Sequence, residues 1–226
     1  MPRRCRFCTV SKLEPEFSVK NNWEKDISPK LPHIIFWDNN WLASPNWKID
    51  CEKIKKLNKT IDFNQGLDAR LYNEEVAKEL ASIKIDPIRF AFDNISIENK
   101  VVRAIKLAKK FSKKEIRIYT LYNFQETPED LYYRINLINK MGEYAFPMEY
   151  RRPNASKIKF PGPHWNVSLL RGLKLSLIFY YRKGMITESR KSFHSIYGKT
   201  PKQFIIKLYD IYEYDKKLKR KSASLH

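Results

Sequence analysis

Cys5 and Cys8 place two thiols three residues apart near the start of the sequence, with Arg6 and Phe7 between them. Thiolates at this spacing reach one metal ion or one cluster, and the same pair occurs in zinc knuckles, redox loops and iron–sulfur sites. Cys51, the remaining cysteine, falls inside a helical pattern and reads as core. Three cysteines form no disulfide framework, so a reducing, cytoplasmic setting with functional thiols is expected. The other candidate groups are polar residues that each end a short apolar run. Such runs cover 33–37 before Asp38, 60–63 before Asn64, 88–92 before Asp93, 116–122 before Asn123 and 144–148 before Glu149.

These polar ends recur at intervals of 26, 29, 30 and 26 residues, the length of one strand, one helix and two short loops. That period predicts repeated β/α units. Between the runs, Val101, Ile105, Ala108 and Phe111 share one helical face, as do Leu131, Ile135, Ile138 and Met141. Thr127 followed by Pro128, Glu129 and Asp130 is a helix start, with acids where the helix dipole favours them. Asn73 before Glu74 and Glu75 is another, and Ser44-Pro45 is expected to open the helix that holds Ile54 and Leu57. Strands joined by crossover helices pair in parallel, as an open doubly wound sheet or a curved barrel. In both, the carboxyl ends share one rim where ligands bind, here carrying Asp38, Asn39, Asn64, Gln65, Asp68, Arg70, Asp93, Asn94, Asn123, Glu126, Glu149 and Arg151.

Beyond residue 152 the pattern changes. Residues 160–165 read as a loop, 169–181 as a hydrophobic helix, and Phe193, Ile196, Tyr197 and the run 202–214 as one or two more helices. A basic cluster at 216–221 and a Ser-Ala-Ser tract, expected to fray, complete the sequence. Two regions follow, a β/α domain over 1–152 and a basic, mainly helical region over 153–226.

Lys and Arg number 44 against 25 Asp and Glu, a net charge of +19, which suits a polyanionic partner such as RNA or an ordinary set of solvated helix faces. Arg151, Arg152, Lys157 and Lys159, interleaved with Phe160 and Trp165, are the candidate contacts for such a partner. No apolar run approaches the roughly 18 residues of a membrane span, and no apolar leader is visible, so no membrane partner is expected.

Cys5-Arg6-Phe7-Cys8 ahead of β/α units resembles the radical S-adenosylmethionine superfamily, whose members hold a [4Fe-4S] cluster on a C-x3-C-x-aromatic-C loop; Phe7 falls on the aromatic position. Three downstream stretches carry the resemblance further, and it covers roughly residues 1–152. They are Phe36-Trp37-Asp38-Asn39-Asn40-Trp41-Leu42, Phe63-Asn64-Gln65-Gly66-Leu67-Asp68-Ala69-Arg70, and the stretch from Leu121-Tyr122-Asn123-Phe124-Gln125-Glu126 through Asp130. They look like the second, third and fifth strand ends of radical enzymes related to the methylthiotransferase group, including a little-characterised set that shares N-Q-G-L-D-A-R. The resemblance implies a partial parallel (β/α) barrel, TIM-barrel-like, with a small helical C-terminal extension. It also implies a cluster on Cys5 and Cys8, and reductive cleavage of S-adenosylmethionine to a 5′-deoxyadenosyl radical that acts on an unknown substrate, with an external electron donor. By motif, Asp38, Asn39 and Asn40 serve the methionyl end of that cofactor, Asn123 and Glu126 support the adenosine end, and Gln65, Asp68 and Arg70 contact cofactor or substrate. Asp68 and Arg70 read equally as an ion pair that holds their loop, Glu126 as a helix-start carboxylate on backbone amides, and Gly66 as a tight turn.

The family's first cluster cysteine falls four residues before Cys5, where this sequence has Met1. The strand expected before the cluster loop is missing too, so a late start, a fragment and a degenerate, cluster-less homologue stand as alternatives. From another class stands a zinc-binding or cluster-less nucleic-acid module. His33, His164, His194 and His226 show no finger spacing, and no strand precedes the thiol pair as a thioredoxin-like site requires.

Overall fold

A computed structural model describes residues 5–14, 16–152, 160–181, 184–186 and 190–223. Met1, Lys157, Lys159, Ser224 and His226, which figure in the expectations above, lie outside the described residues. The chain packs as two compact units, one formed by Met1–Phe92 with Ser96–Ile118 and the other by Asp93–Ile95 with Tyr119–His226.

The first unit opens with a single turn of helix, α1 (Val10–Leu13), followed by β1 (His33–Phe36) and β2 (Thr60–Phe63). The two strands pair in parallel, with His33 opposite Thr60 and Phe36 opposite Phe63. Alternation puts Ile34, Ile61 and Phe63 in the core, while Ile35 and Asp62 point to the other side. Between the strands runs α2 (Trp47–Leu57), whose N-cap is Asn46. The helix therefore opens just past the expected Ser44-Pro45 start, because the Ser44 hydroxyl accepts from the Asn46 amide at 3.2 Å and closes the entering turn. Asn73 caps α3 (Glu74–Ala81) as expected, its Oδ1 accepting from the Val76 amide at 2.9 Å. β3 (Ile88–Ala91) follows, and parallel bridges Ile61–Ile85 and Leu67–Phe90 flank it. α4 (Glu98–Phe111) buries Val101, Ala104, Ile105 and Ala108, and Phe111 at its end is half-buried.

β4 (Ile116–Tyr122) runs out of the first unit into the second. There α5 (Pro128–Lys140) starts with a full capping box, Thr127 bonding the Asp130 amide and Asp130 the Thr127 amide, both at 3.1 Å. Its buried face holds Leu131, Ile135 and Ile138. β5 (Tyr144–Glu149) leads to α6 (Val167–Tyr180), α7 (Arg190–Tyr197) and α8 (Pro201–Ala223). Leu173, Phe193, Tyr197, Phe204 and Leu208 are fully buried among these helices, each leucine or phenylalanine worth about 1.5–3 kcal/mol of burial. The basic run 216–221 continues α8, where Asp215 takes Lys219 one turn on at 2.9 Å and Arg171 of α6 at 3.1 Å.

The chain is thus α/β with parallel strands in two small sheets, one ordered β1-β2 and the other β3-β4-β5. Neighbours in each sheet are consecutive in sequence, and no closed barrel forms among the described residues. Among the described residues no helix is long and apolar enough to cross a membrane.

Candidate functional site

In the first unit the two thiols share one turn, with the Cys8 amide donating to the Cys5 carbonyl at 3.0 Å. Both cysteines and Phe7 are half-buried. The Cys5 side chain stands near the Arg70 guanidinium, close enough to add to the rise in its pKa. Arg70 is itself held in a fork by Asp68, Nε to Oδ1 at 2.6 Å and Nη2 to Oδ2 at 2.8 Å, and its amide donates to the same Oδ1 at 3.0 Å. This fork, ahead of desolvation, raises the guanidinium pKa above its ordinary value. Sequence explains the closeness: Gly66, at φ +83, turns the chain sharply after β2, its amide bonding the Phe63 carbonyl at 2.8 Å.

Asn40 joins the same group from the loop after β1. Its Nδ2 donates to Asp68 Oδ2 at 3.2 Å, and its Oδ1 is buried with no hydrogen-bond partner in the structure. The Asn40 amide also donates to Asp38 Oδ1 at 3.2 Å. Cys5, Arg70, Asp68, Asn40 and Asp38 therefore form one continuous line of contacts, drawn from three stretches of the chain. Asn39 is exposed and bonds Glu14 at 2.7 Å; Gln65 is exposed. Cys51 is completely buried in α2, and burial pushes its thiol up to about 12. Among the described residues no cluster of three or more His, Cys, Asp and Glu side chains is arranged to hold a metal ion, and His164 is exposed.

The second unit treats its strand-end residues differently. Asn123 takes up φ +71 and is buried. Its Nδ2 donates to the carbonyls of Tyr150 and Phe160 at 3.2 Å each, and its Oδ1 accepts from the Gly162 amide at 2.6 Å. A Cβ on Gly162 would lie 2.6 Å from the Phe124 carbonyl oxygen, so only glycine lets the two segments approach this closely. Glu126 is also buried and accepts from amides of its own turn, that of Phe124 at 3.1 Å; burial raises its carboxyl above the usual range, and those amides pull it back. Its carbonyl receives the Trp165 indole N–H at 2.9 Å. The side chains that the resemblance assigned to the adenosine end are thus spent on the chain itself. Trp165 is core, and Arg151, Arg152 and Phe160 are exposed.

Two buried cations escaped the sequence reading. Arg89 of β3 forks onto Asp62 of β2 at 2.6 and 2.7 Å. Arg134 of α5 is fully buried and donates to the Leu121 carbonyl at 2.8 Å, with Glu126, Asp93 and Asp130 supplying the opposite charge. Burial holds its guanidinium below the ordinary value. Asp62 and Arg89 alternate with apolar neighbours, and that break in a strand pattern was the available signal; Arg134 lies on a helix rich in charge and gave none.

No family model matches the chain, and neither does any curated protein. Among solved structures it is similar to a radical S-adenosylmethionine methyltransferase, TsrM, from Kitasatospora setae with cobalamin and [4Fe-4S] cluster bound. The TM-score is 0.45 at 13% identity, over 52% of this chain and 27% of that one. The chain therefore spans about a quarter of that structure's length, and a likeness of this degree carries no argument about activity.

Proposed function

We propose that the chain is the cofactor-binding part of a radical S-adenosylmethionine protein built on a partial parallel (β/α) barrel. One observation carries the reading. The contact line from Cys5 through Arg70 and Asp68 to Asn40 ties the Cys5–Cys8 turn to two of the three downstream stretches that resemble that superfamily.

The donor set fits the edge of a cluster: two half-buried thiols in one hydrogen-bonded turn, beside a guanidinium that offsets thiolate charge. When bound, the [4Fe-4S] cluster supplies the electron for reductive cleavage of the carbon–sulfur bond of S-adenosylmethionine. The residues of the chain do the rest by position. Asp68 fixes the plane of Arg70, and Arg70 fixes the Cys5 side of the turn. Asn40 keeps a buried carbonyl oxygen free, an unmet acceptor that costs about 1–3 kcal/mol until a donor arrives. An amino group at the methionyl end of the cofactor is such a donor, with Asp38 and Asn39 in the same loop. Gln65, exposed next to this line, is left to face substrate, which remains open between a small molecule and a polyanion such as RNA.

The test uses the spacing itself. Met1→Cys, made behind an N-terminal tag, creates the C-x3-C-x2-C pattern. Anaerobic reconstitution with iron and sulfide is expected to load the Met1→Cys chain with a cluster and the Cys5→Ser version of it with far less. Reduction with S-adenosylmethionine present should then yield 5′-deoxyadenosine. A fully loaded cluster without that product sinks the enzymatic reading, and zinc in place of iron favours the metal-binding rival.

A further inference from the structure

Behind the contact line, on the side of the segment 17–23, the first unit contains a pocket of about 180 Å³. Four aromatic residues line it, Phe17, Trp23, Phe36 and Trp41. Trp23 meets Phe36 edge to face at 5.1 Å between centroids, and Trp41 closes the far side against Phe63 at 4.5 Å. Two carboxylates, Asp38 and Asp50, also line it. Asp50 is 93% buried, and the one hydrogen bond its side chain shows is from the Trp23 indole N–H to Oδ1 at 2.9 Å.

Aspartate is almost never buried this deeply without a cation beside it. This chain has 44 basic residues to draw on, and most of the first unit's other carboxylates have found one. Yet neither Asp50 nor Asp38 forms an ion pair among the described residues. Two lysines stand close by, and each is engaged by a different acid: Lys20, in the pocket wall, by Asp26, and Lys53, 5.9 Å over the Trp23 ring, by Glu24 at 3.1 Å. Partial desolvation, opposed by the Asn40 amide and helped by repulsion from Asp50 and Glu14, raises the Asp38 carboxyl above its usual range. Aromatic faces and carboxylates around one cavity are the chemistry that holds organic ammonium groups. The volume suits a ligand of about the size of benzene, which fills a cavity of about 150 Å³.

We propose that this pocket binds a small alkylammonium ion, its charge on Asp50 and Asp38 and its carbons against Trp23, Phe36 and Trp41. Asp38 and Asn40 line this pocket and also belong to the proposed cofactor loop, so the test is made on the full chain without iron or S-adenosylmethionine, where the pocket alone is read. Tryptophan fluorescence is followed during titration with n-butylammonium chloride and, at matched ionic strength, with n-butanol, which has the same shape and no charge. The ammonium ion should give a saturable response, and the alcohol should bind at least tenfold more weakly. Asp50→Asn should weaken the ammonium ion at least tenfold, while Asp210→Asn on α8 leaves it unchanged. Because Asp50→Asn alters a buried residue, Asp38→Asn in the exposed loop serves as the second variant, with a loss of severalfold. Equal binding of ammonium and alcohol, absence of saturation, or full affinity in both aspartate variants overturns the proposal.

Discussion

Asp68 and Asn123 stand at comparable places in the repeated unit, each just past the carboxyl end of a strand, and each belongs to a stretch that resembles a cofactor loop. Asp68 spends both oxygens on side chains, gripping Arg70 and taking the Asn40 side-chain amide, while Oδ1 also takes the Arg70 main-chain amide, and through Arg70 it reaches a thiol. Asn123 spends every hydrogen-bonding atom of its side chain on backbone, at Tyr150, Phe160 and Gly162. The first pattern arranges functional groups around a spare acceptor. The second pins three chain segments together and leaves nothing over. Polar strand ends in one fold thus divide into those that present chemistry and those that secure the loops, and the partners of each side chain tell them apart.

Stability measurements tell the two loops apart. The largest loss is expected at Arg134: Arg134→Met should cost about 3–5 kcal/mol in urea unfolding, because the buried Glu126 and the half-buried Asp93 and Asp130 lose their buried counter-charge. Next comes Asn123→Ala, expected at about 3 kcal/mol, from two carbonyls and an amide left unmet and a left-handed backbone without the asparagine that tolerates it. By contrast Asp68→Asn should cost less, about 1.5–2 kcal/mol, since the Asp68 carboxylate is buried but Arg70 keeps access to water. Its effect should appear in iron loading at Cys5. If Asp68→Asn destabilises the chain as much as Asn123→Ala, the distinction between the two loops is lost.

The smallest effect concerns Glu126 and depends on pH. Its carboxyl is raised in the folded chain, chiefly by burial, so its contribution is fully present below the ordinary value near 4.5 and declines as pH rises through the folded value. Glu126→Gln carries no such proton. Its urea midpoint relative to the parent should therefore shift in its favour between pH 4 and pH 7, and a constant difference across that range would mean that the carboxyl is not desolvated.

Much of the scaffold was legible locally. The strand runs before Asp38, Asn64, Asp93, Asn123 and Glu149, the Thr127 box, the Asn73 cap and the Gly66 turn are all written in stretches of a few residues, and they appear in the structure. The helix opening at Asn46 rather than Ser44 is a local competition between two short polar side chains that pattern alone does not decide. Arg134 was invisible because a charged residue in a polar helix is expected at the surface.

What the sequence determined by itself was the alternation of strand and helix, the placement of polar groups at the strand ends and the thiol pair that could meet them. Periods of two and 3.6 residues, caps and turns act over one or two turns of chain, so they survive without knowledge of the fold. Which polar groups remain available was decided only by tertiary structure. Asn40 meets Asp68 across 28 residues, Trp23 meets Asp50 across 27 and Asn123 meets Gly162 across 39. A hydrogen bond consumes a donor wherever its acceptor comes from, and at such separations only the folded chain determines which acceptor arrives.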